Sequence, residues 1–203
     1  PMPPGLKAGD KYRLVFVTSG TAQAVSSSIG TYNTFVTTQA NLNPDLVALG
    51  TTWTAIASTA ASNDIPSVDA RTNTSTDPAV NGTGVPIYKF LYENGGYTSV
   101  KIADDYSDLW DGSIDSLLNV NQHGTALAAA DGFTVWTGTT VNGSANGNRA
   151  LGGSSQVRIG WANESGPKWI YDIDQNNDSY RHFYAMSGEL TAVPEPSSST
   201  SSS

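Results

Sequence analysis

Oxygen-bearing side chains at alternate positions are the most chemically suggestive feature of this chain. Asp172-Ile-Asp174-Gln-Asn176-Asn-Asp178 places a carboxylate or amide at every second residue. A tight loop aims every second side chain inward, so this spacing can wrap a hard cation, and D-x-D-x-[DN] opens the calcium-loop pattern. Asn177 stands where such loops usually carry Gly, and Asn tolerates the left-handed conformation better than most residues. The twelfth position is Phe183 rather than Glu, which excludes an EF-hand and leaves a shorter calcium loop. The expected metal ligands are therefore Asp172, Asp174, Asn176 and Asp178, with calcium as the cofactor. The competing reading is a polar hairpin turn between Trp169-Ile-Tyr171 and the strand after Tyr180.

Two further groupings carry chemistry. Trp161-Ala-Asn163-Glu164-Ser-Gly-Pro-Lys-Trp169 sets an amide and a carboxylate between two indoles. Amide and carboxylate suit sugar hydroxyls or calcium, and indole suits stacking, so Trp161, Asn163, Glu164 and Trp169 form a candidate carbohydrate site. The alternative is a Gly-Pro loop whose tryptophans fill the core. Asp104, Asp105, Asp108, Asp111 and Asp115 crowd one short stretch. They could include a catalytic carboxylate pair of the glycosidase kind, or serve as caps and turn formers. His123 sits beside Gly124 in a polar connection, and His182 lies in a terminal strand, where a structural role is expected. G-x-S-x-G is absent, and Gly152-Gly-Ser154 follows no strand-to-helix pattern, so an enzyme is not expected.

These residues need a scaffold, and 203 residues suffice for one domain with a sizeable core. Charged residues make up 14% of the chain, against about 25% in an average soluble domain. Polarity comes instead from Thr, Ser, Asn and Gly, a composition common in exported surface proteins. A net charge of −8 disfavours nucleic acid and anionic membranes while permitting divalent cations. There are no cysteines, so disulfides, thiolate metal sites and a cysteine nucleophile are excluded. No run approaches the ~18 apolar residues of a membrane span. The chain starts at Pro1, as removal of an export signal or trimming would equally produce.

Along the chain, a proline-rich lead-in (1–10) precedes one domain (11–192) and a Pro/Ser-rich tail (193–203). Tyr12 to Thr18 reads as a strand. Ile29, Tyr32, Phe35 and Val36 recur at helical spacing in a run from Ser26 to Leu42 that Pro44 stops. Thr52 to Ala57 reads as a strand, and 58–84 as a long loop with one helical turn at Val68-Asp-Ala-Arg71. Asn94-Gly95-Gly96 marks a hairpin between Val85–Tyr92 and Ser99–Ala103. Lys101 to Thr139 holds Trp110 and Trp136 in apolar patches, with Asp104 to Trp110 as a short helix. Val157–Trp161, Lys168–Tyr171 and His182–Leu190 complete the strands. One N-terminal helix followed by mainly antiparallel strands with long loops predicts an α+β domain.

The tail, Val193-Pro-Glu-Pro-Ser-Ser198, resembles the start of the PEP-CTERM sorting signal of exported bacterial proteins. The apolar helix and basic cluster that follow in that signal are replaced here by hydroxyl residues, as in a linker, a glycosylated stub or a processed end. Tyr12-Arg-Leu-Val-Phe-Val-Thr-Ser, Trp53-Thr-Ala-Ile, Val68-Asp-Ala-Arg, Pro86-Ile-Tyr, Ala103-Asp-Asp-Tyr-Ser-Asp-Leu-Trp-Asp-Gly, Val135-Trp-Thr-Gly and Tyr184-Ala-Met-Ser-Gly-Glu-Leu-Thr resemble PEP-CTERM domain proteins of cyanobacteria and related bacteria. Their order is similar to the endostatin and C-type lectin-like fold. The resemblance implies a C-type lectin-like domain in an exported, non-catalytic surface protein. The expectation is an extracellular structural or adhesive protein of a bacterial surface or matrix. It would associate with itself, as filaments or sheets, or with extracellular polysaccharide. A calcium-assisted carbohydrate-binding module is the alternative.

Overall fold

The computed structural model describes residues 3–194. The strand β1 (Lys11–Val17) runs through the centre of its larger sheet. Leu14 and Phe16 point into one apolar cluster, Val15 and Val17 into another on the opposite face. A strand covered on both faces needs no polar side, which is why its sequence is apolar without a break.

After β1 come helix α1 (Ile29–Ala40), a single turn α2 (Pro44–Val47) and strand β2 (Trp53–Ala55). Pro44 does more than stop the first helical run: it opens α2, where Asn43 Oδ1 accepts the Asp45 N–H at 3.0 Å. Proline at a first helical position loses no hydrogen bond. Two more single turns, α3 (Ala70–Asn73) and α4 (Pro78–Asn81), punctuate the long loop. The hairpin β3 (Ile87–Glu93) and β4 (Gly96–Ala103) closes on Asn94 and Gly95, at φ 53° and 78°. Both are left-handed, which matches the twist of the strands they join. Then follow α5 (Tyr106–Leu109), β5 (Thr134–Trp136), β6 (Gln156–Trp161), β7 (Asp174–Asn176), β8 (Tyr184–Ser187) and β9 (Leu190–Thr191).

The larger sheet has the order β2-β8-β1-β3-β4, with β9 on the first residues of β1. The smaller is β5-β6-β7, joined to the larger through a parallel bridge between Val135 and His182. α1 covers one face of the larger sheet with Tyr32, Val36 and Ala40, and Tyr32 stacks on Phe183 at 5.1 Å. Loops and single turns cover the other face. There Trp169 lies between Trp110 at 6.0 Å and Tyr184 at 5.6 Å.

The expected α+β, C-type lectin-like domain is corrected by this architecture. The chain is mostly sheet with few helices, and neither sheet closes. At the centre, β1 and β3 run parallel, with Arg13 beside Ile87 and Val15 beside Lys89. Periodicity finds apolar runs but not partners, so the direction of that central pairing was invisible to it. Lys168–Tyr171 is not a strand. Pro167–Trp169 is a 3-10 turn, because Gly166-Pro167 starts a helical turn and delivers Trp169 to the core. The strand expected at His182–Leu190 is interrupted at Gly188-Glu189 between β8 and β9. The sorting-signal-like tail from residue 195 onward lies outside the described residues.

Candidate functional site

The aspartates after β4 form the site with the clearest chemistry. Asp105 caps α5, its Oδ1 accepting the Asp108 N–H at 2.9 Å. The Asp104 N–H donates to Asp108 Oδ2 at 2.7 Å, drawing that carboxylate back over the end of β4. Asp111 holds the next turn by accepting the Ser113 N–H at 3.1 Å. The Asp115 N–H then donates to the Ile102 carbonyl at 2.8 Å, which folds the chain back onto β4. One oxygen from each of Asp104, Asp108 and Asp115 consequently lies within 4.8 Å of the others. Such a group could hold a metal ion.

Electrostatics fit a site short of positive charge. Burial, with Asp115 and Asp111 nearby, raises the Asp108 carboxyl above the usual range, against the lowering effect of its backbone hydrogen bond. Burial and the charge of Asp104 do the same to Asp115, while Lys101 opposes them. Lys101 Nζ stands 3.1 Å from Asp104 Oδ1, and that hydrogen bond raises the lysine in turn. Three carboxylate oxygens supply part of a hard cation's shell. Asp104 and Asp115 are exposed enough for water to complete it.

The 172–178 segment is organised differently. Asp174 belongs to β7, and its carboxylate faces two guanidinium groups: Arg158 Nε at 2.7 Å and Arg149 Nε at 3.3 Å. Asp172 Oδ2 accepts the Trp161 indole N–H at 2.5 Å, and Asp172 O accepts from Arg158 Nη1 at 2.6 Å. Asn176 and Asp178 engage through their backbone carbonyls, with Ser179 and with the Gln23 amide. The four residues are thus tied to β6 and to neighbouring loops, and their carboxylates do not gather around a common centre. The Arg158 side chain also stacks over Tyr171 at 4.2 Å.

The 161–169 loop divides in two. Trp169 is fully buried and packs in the core, out of reach of a sugar ring. Trp161 is half-buried, and Asn163 and Glu164 are exposed side by side. The Ile114 N–H donates to the Ser165 carbonyl at 2.8 Å. This bond brings the exposed Asn163-Glu164 pair and the acidic triad onto neighbouring loops.

Two features escape the sequence. A cavity of about 170 Å³ is lined by Tyr12, Phe90, Tyr97 and Leu46, with Asp45 at its rim accepting the Tyr97 hydroxyl at 2.8 Å. Its only signal was the alternation of Tyr88, Phe90 and Tyr92 along β3, with Tyr97 across the hairpin. Lys89 is buried, and its ammonium donates to Leu117 O at 2.8 Å and Asn119 Oδ1 at 3.1 Å. Burial lowers its pKa. His182, also buried, has Nδ1 2.7 Å from Thr18 O and Nε2 2.8 Å from Asp131 O, so neither nitrogen faces a cleft. His123 is exposed, its backbone N–H bound to Asn121 Oδ1. No helix among the described residues is long and apolar enough to cross a membrane. No protein-family model matches the chain, and no curated protein matches it.

Proposed function

We propose that this chain is a non-catalytic, extracellular structural or adhesive protein of a bacterial surface or matrix. It associates with further copies of itself or with extracellular polysaccharide. The observation that carries this reading is the use to which polar side chains are put. Asp69, Asp131 and Asn142 each accept a backbone N–H in the long loops, Asp174 joins two arginines, and His182 is wedged between carbonyls. Loops pinned in this way present a stiff surface of hydroxyls and amides with little charge. Such a surface suits lasting contact better than turnover. The resemblance of Val193-Pro-Glu-Pro196 to an export sorting signal supports the location. Fractionation of native cells with immunogold imaging is the test. Labelling of the outer surface or matrix is expected, and retention inside the cell would overturn the reading.

A second reading, calcium-assisted carbohydrate binding, is favoured by the contact between Ile114 and Ser165. Calcium at Asp104, Asp108 and Asp115 would stiffen the turn against which the Asn163-Glu164 loop rests. Calcium fits better than magnesium because it accepts irregular oxygen shells. Glycan-array binding that depends on calcium is the expected result. A flat array with and without calcium would dispose of this reading.

A further inference from the structure

The two edges of the larger sheet are finished in opposite ways. At β2 the outward backbone groups are capped by side chains. Asn33 Oδ1 accepts the Ala55 N–H at 2.9 Å, Asn73 Nδ2 donates to Ala55 O at 2.8 Å, and Thr37 Oγ1 donates to Trp53 O at 3.2 Å. β4, at the other edge, is met only near its end, where the Asp115 N–H takes the Ile102 carbonyl, and no side chain among the described residues caps it before that point. Its two-residue turn makes Glu93 and Gly96 a hydrogen-bonded pair, and Leu91 with Thr98 and Lys89 with Val100 follow by alternation. The N–H and C=O groups of Tyr97, Ser99 and Lys101 therefore point away from β3. Among the described residues none of them has a hydrogen-bond partner.

We infer that β4 is the pairing edge for a second copy of this chain, joined antiparallel about a two-fold axis through Ser99. Three properties of the strand carry this. It is eight residues long, against a usual ~5–6, so the open stretch is longer than an ordinary edge. It carries no acidic residue from Gly96 to Ala103, although the chain as a whole is at −8. Finally, it is self-complementary in this register. Tyr97 faces Lys101 of the partner subunit, which sets an ammonium beside an aromatic ring, and Ser99 faces its own copy. No like charges meet across the seam. Each of the three facing pairs would exchange two backbone hydrogen bonds. Val100, 38% exposed, would gain cover on the opposite face. Because the contact is isologous and β2 is capped, sheet extension stops at two copies.

The identity of the partner rests on the self-associating part of the function proposed above; adhesion stands without it. The test is sedimentation of the full chain over a wide concentration range, with residue-resolved hydrogen exchange at each end of it. A monomer–dimer equilibrium is expected, with the Tyr97, Ser99 and Lys101 amides protected only at dimeric concentrations. Ser99→Pro removes an outward N–H that β3 does not use, and should weaken the dimer by at least about tenfold. Monomers throughout, a dimer whose three amides exchange freely, amides already protected in the monomer, or an unweakened proline variant would each overturn the inference. A monomer displayed on the cell surface would leave the adhesive reading intact. A dimer confined to the cell interior would do the reverse.

Discussion

Replacing Asp115 by Asn should make the protein more stable, although it removes a charged residue and adds no contact. The hydrogen bond that places residue 115 runs from its backbone N–H to the Ile102 carbonyl, so Asn keeps it. What the change removes is repulsion among carboxylate oxygens within 4.8 Å of one another. At that separation two unit charges repel by about 0.9 kcal/mol at the dielectric constant of water and about 3.5 kcal/mol at an effective value of 20. The triad is largely exposed, so the lower figure applies. Asp115 faces two such neighbours and also gives up attraction to Lys101, which leaves a net gain of about 1 kcal/mol at low salt. Screening at 0.15 M ionic strength reduces this to roughly half, since the Debye length there is about 8 Å. A gain of about 1 kcal/mol appears as about 2–4 °C in Tm for a chain of this size.

The pH dependence has a definite sign. Asp115 has a raised pKa in the folded protein, so the folded state holds its proton more tightly than the unfolded chain. The stability this confers is complete below the unfolded value near pH 4 and is lost as pH rises through the folded value. The advantage of Asp115→Asn over the parent should therefore be absent below about pH 4 and full at pH 7. If calcium binds the triad, it relieves the same repulsion, so its stabilising effect should be large in the parent and much smaller in the variant. Paired thermal melts at two pH values, with and without calcium, read all of this. A variant less stable than its parent at pH 7, or an equal calcium shift in both proteins, would refute the reasoning.

Asp174→Ala should cost about 1–3 kcal/mol in urea denaturation, because it leaves Arg158 and Arg149 facing a vacated carboxylate position, and it should leave any calcium response unchanged. A lost calcium response would return the cation site to 172–178. Trp136→Phe and Trp169→Phe offer a matched pair, since both indoles are fully buried. The Trp136 N–H donates to the Ala22 carbonyl at 3.0 Å, whereas the Trp169 N–H has no partner among the described residues. Trp136→Phe should therefore cost about 2 kcal/mol more, as read from urea midpoints at constant m-value, and equal costs would contradict this. Gly160→Ala would put a Cβ 2.1 Å from the Trp169 carbonyl oxygen. A loss of about 3 kcal/mol or more is expected, and a neutral melting curve would show that this backbone crossing yields.

Local structure was legible in the sequence wherever one residue type dictates one conformation. Asn94-Gly95 had to turn a hairpin, and the apolar run of β1 had to be buried. Asp105 was readable as a cap because its partner N–H is three residues away. Long-range relations were not readable. Nothing in Tyr12–Thr18 says that β1 lies parallel to β3, nor that helices would be too few for the expected class. The D-x-D-x-N spacing of 172–178 is real, but a strand also alternates its side chains. Which of the two a carboxylate serves depends on Arg149 and Arg158, which spacing within the motif cannot show. The reverse holds for Asp104, Asp108 and Asp115. Their spacing suggests caps, and caps they partly are. Only the return of the chain at Ile102 gathers them.

The place of β1 also has a consequence in time. It precedes the other strands described, yet β8 and β9, the last of them, lie against it. Val15 meets Met186 and Tyr12 meets Leu190, so the central position cannot be filled until residues 184–191 have been made. Contacts this distant in sequence slow folding, because loop closure is unfavourable before any contact rewards it. The chain should therefore stay loose during synthesis and lock late, as one unit. Stopped chains lacking residues 184–191 should be digested quickly by protease, and full-length chains should resist.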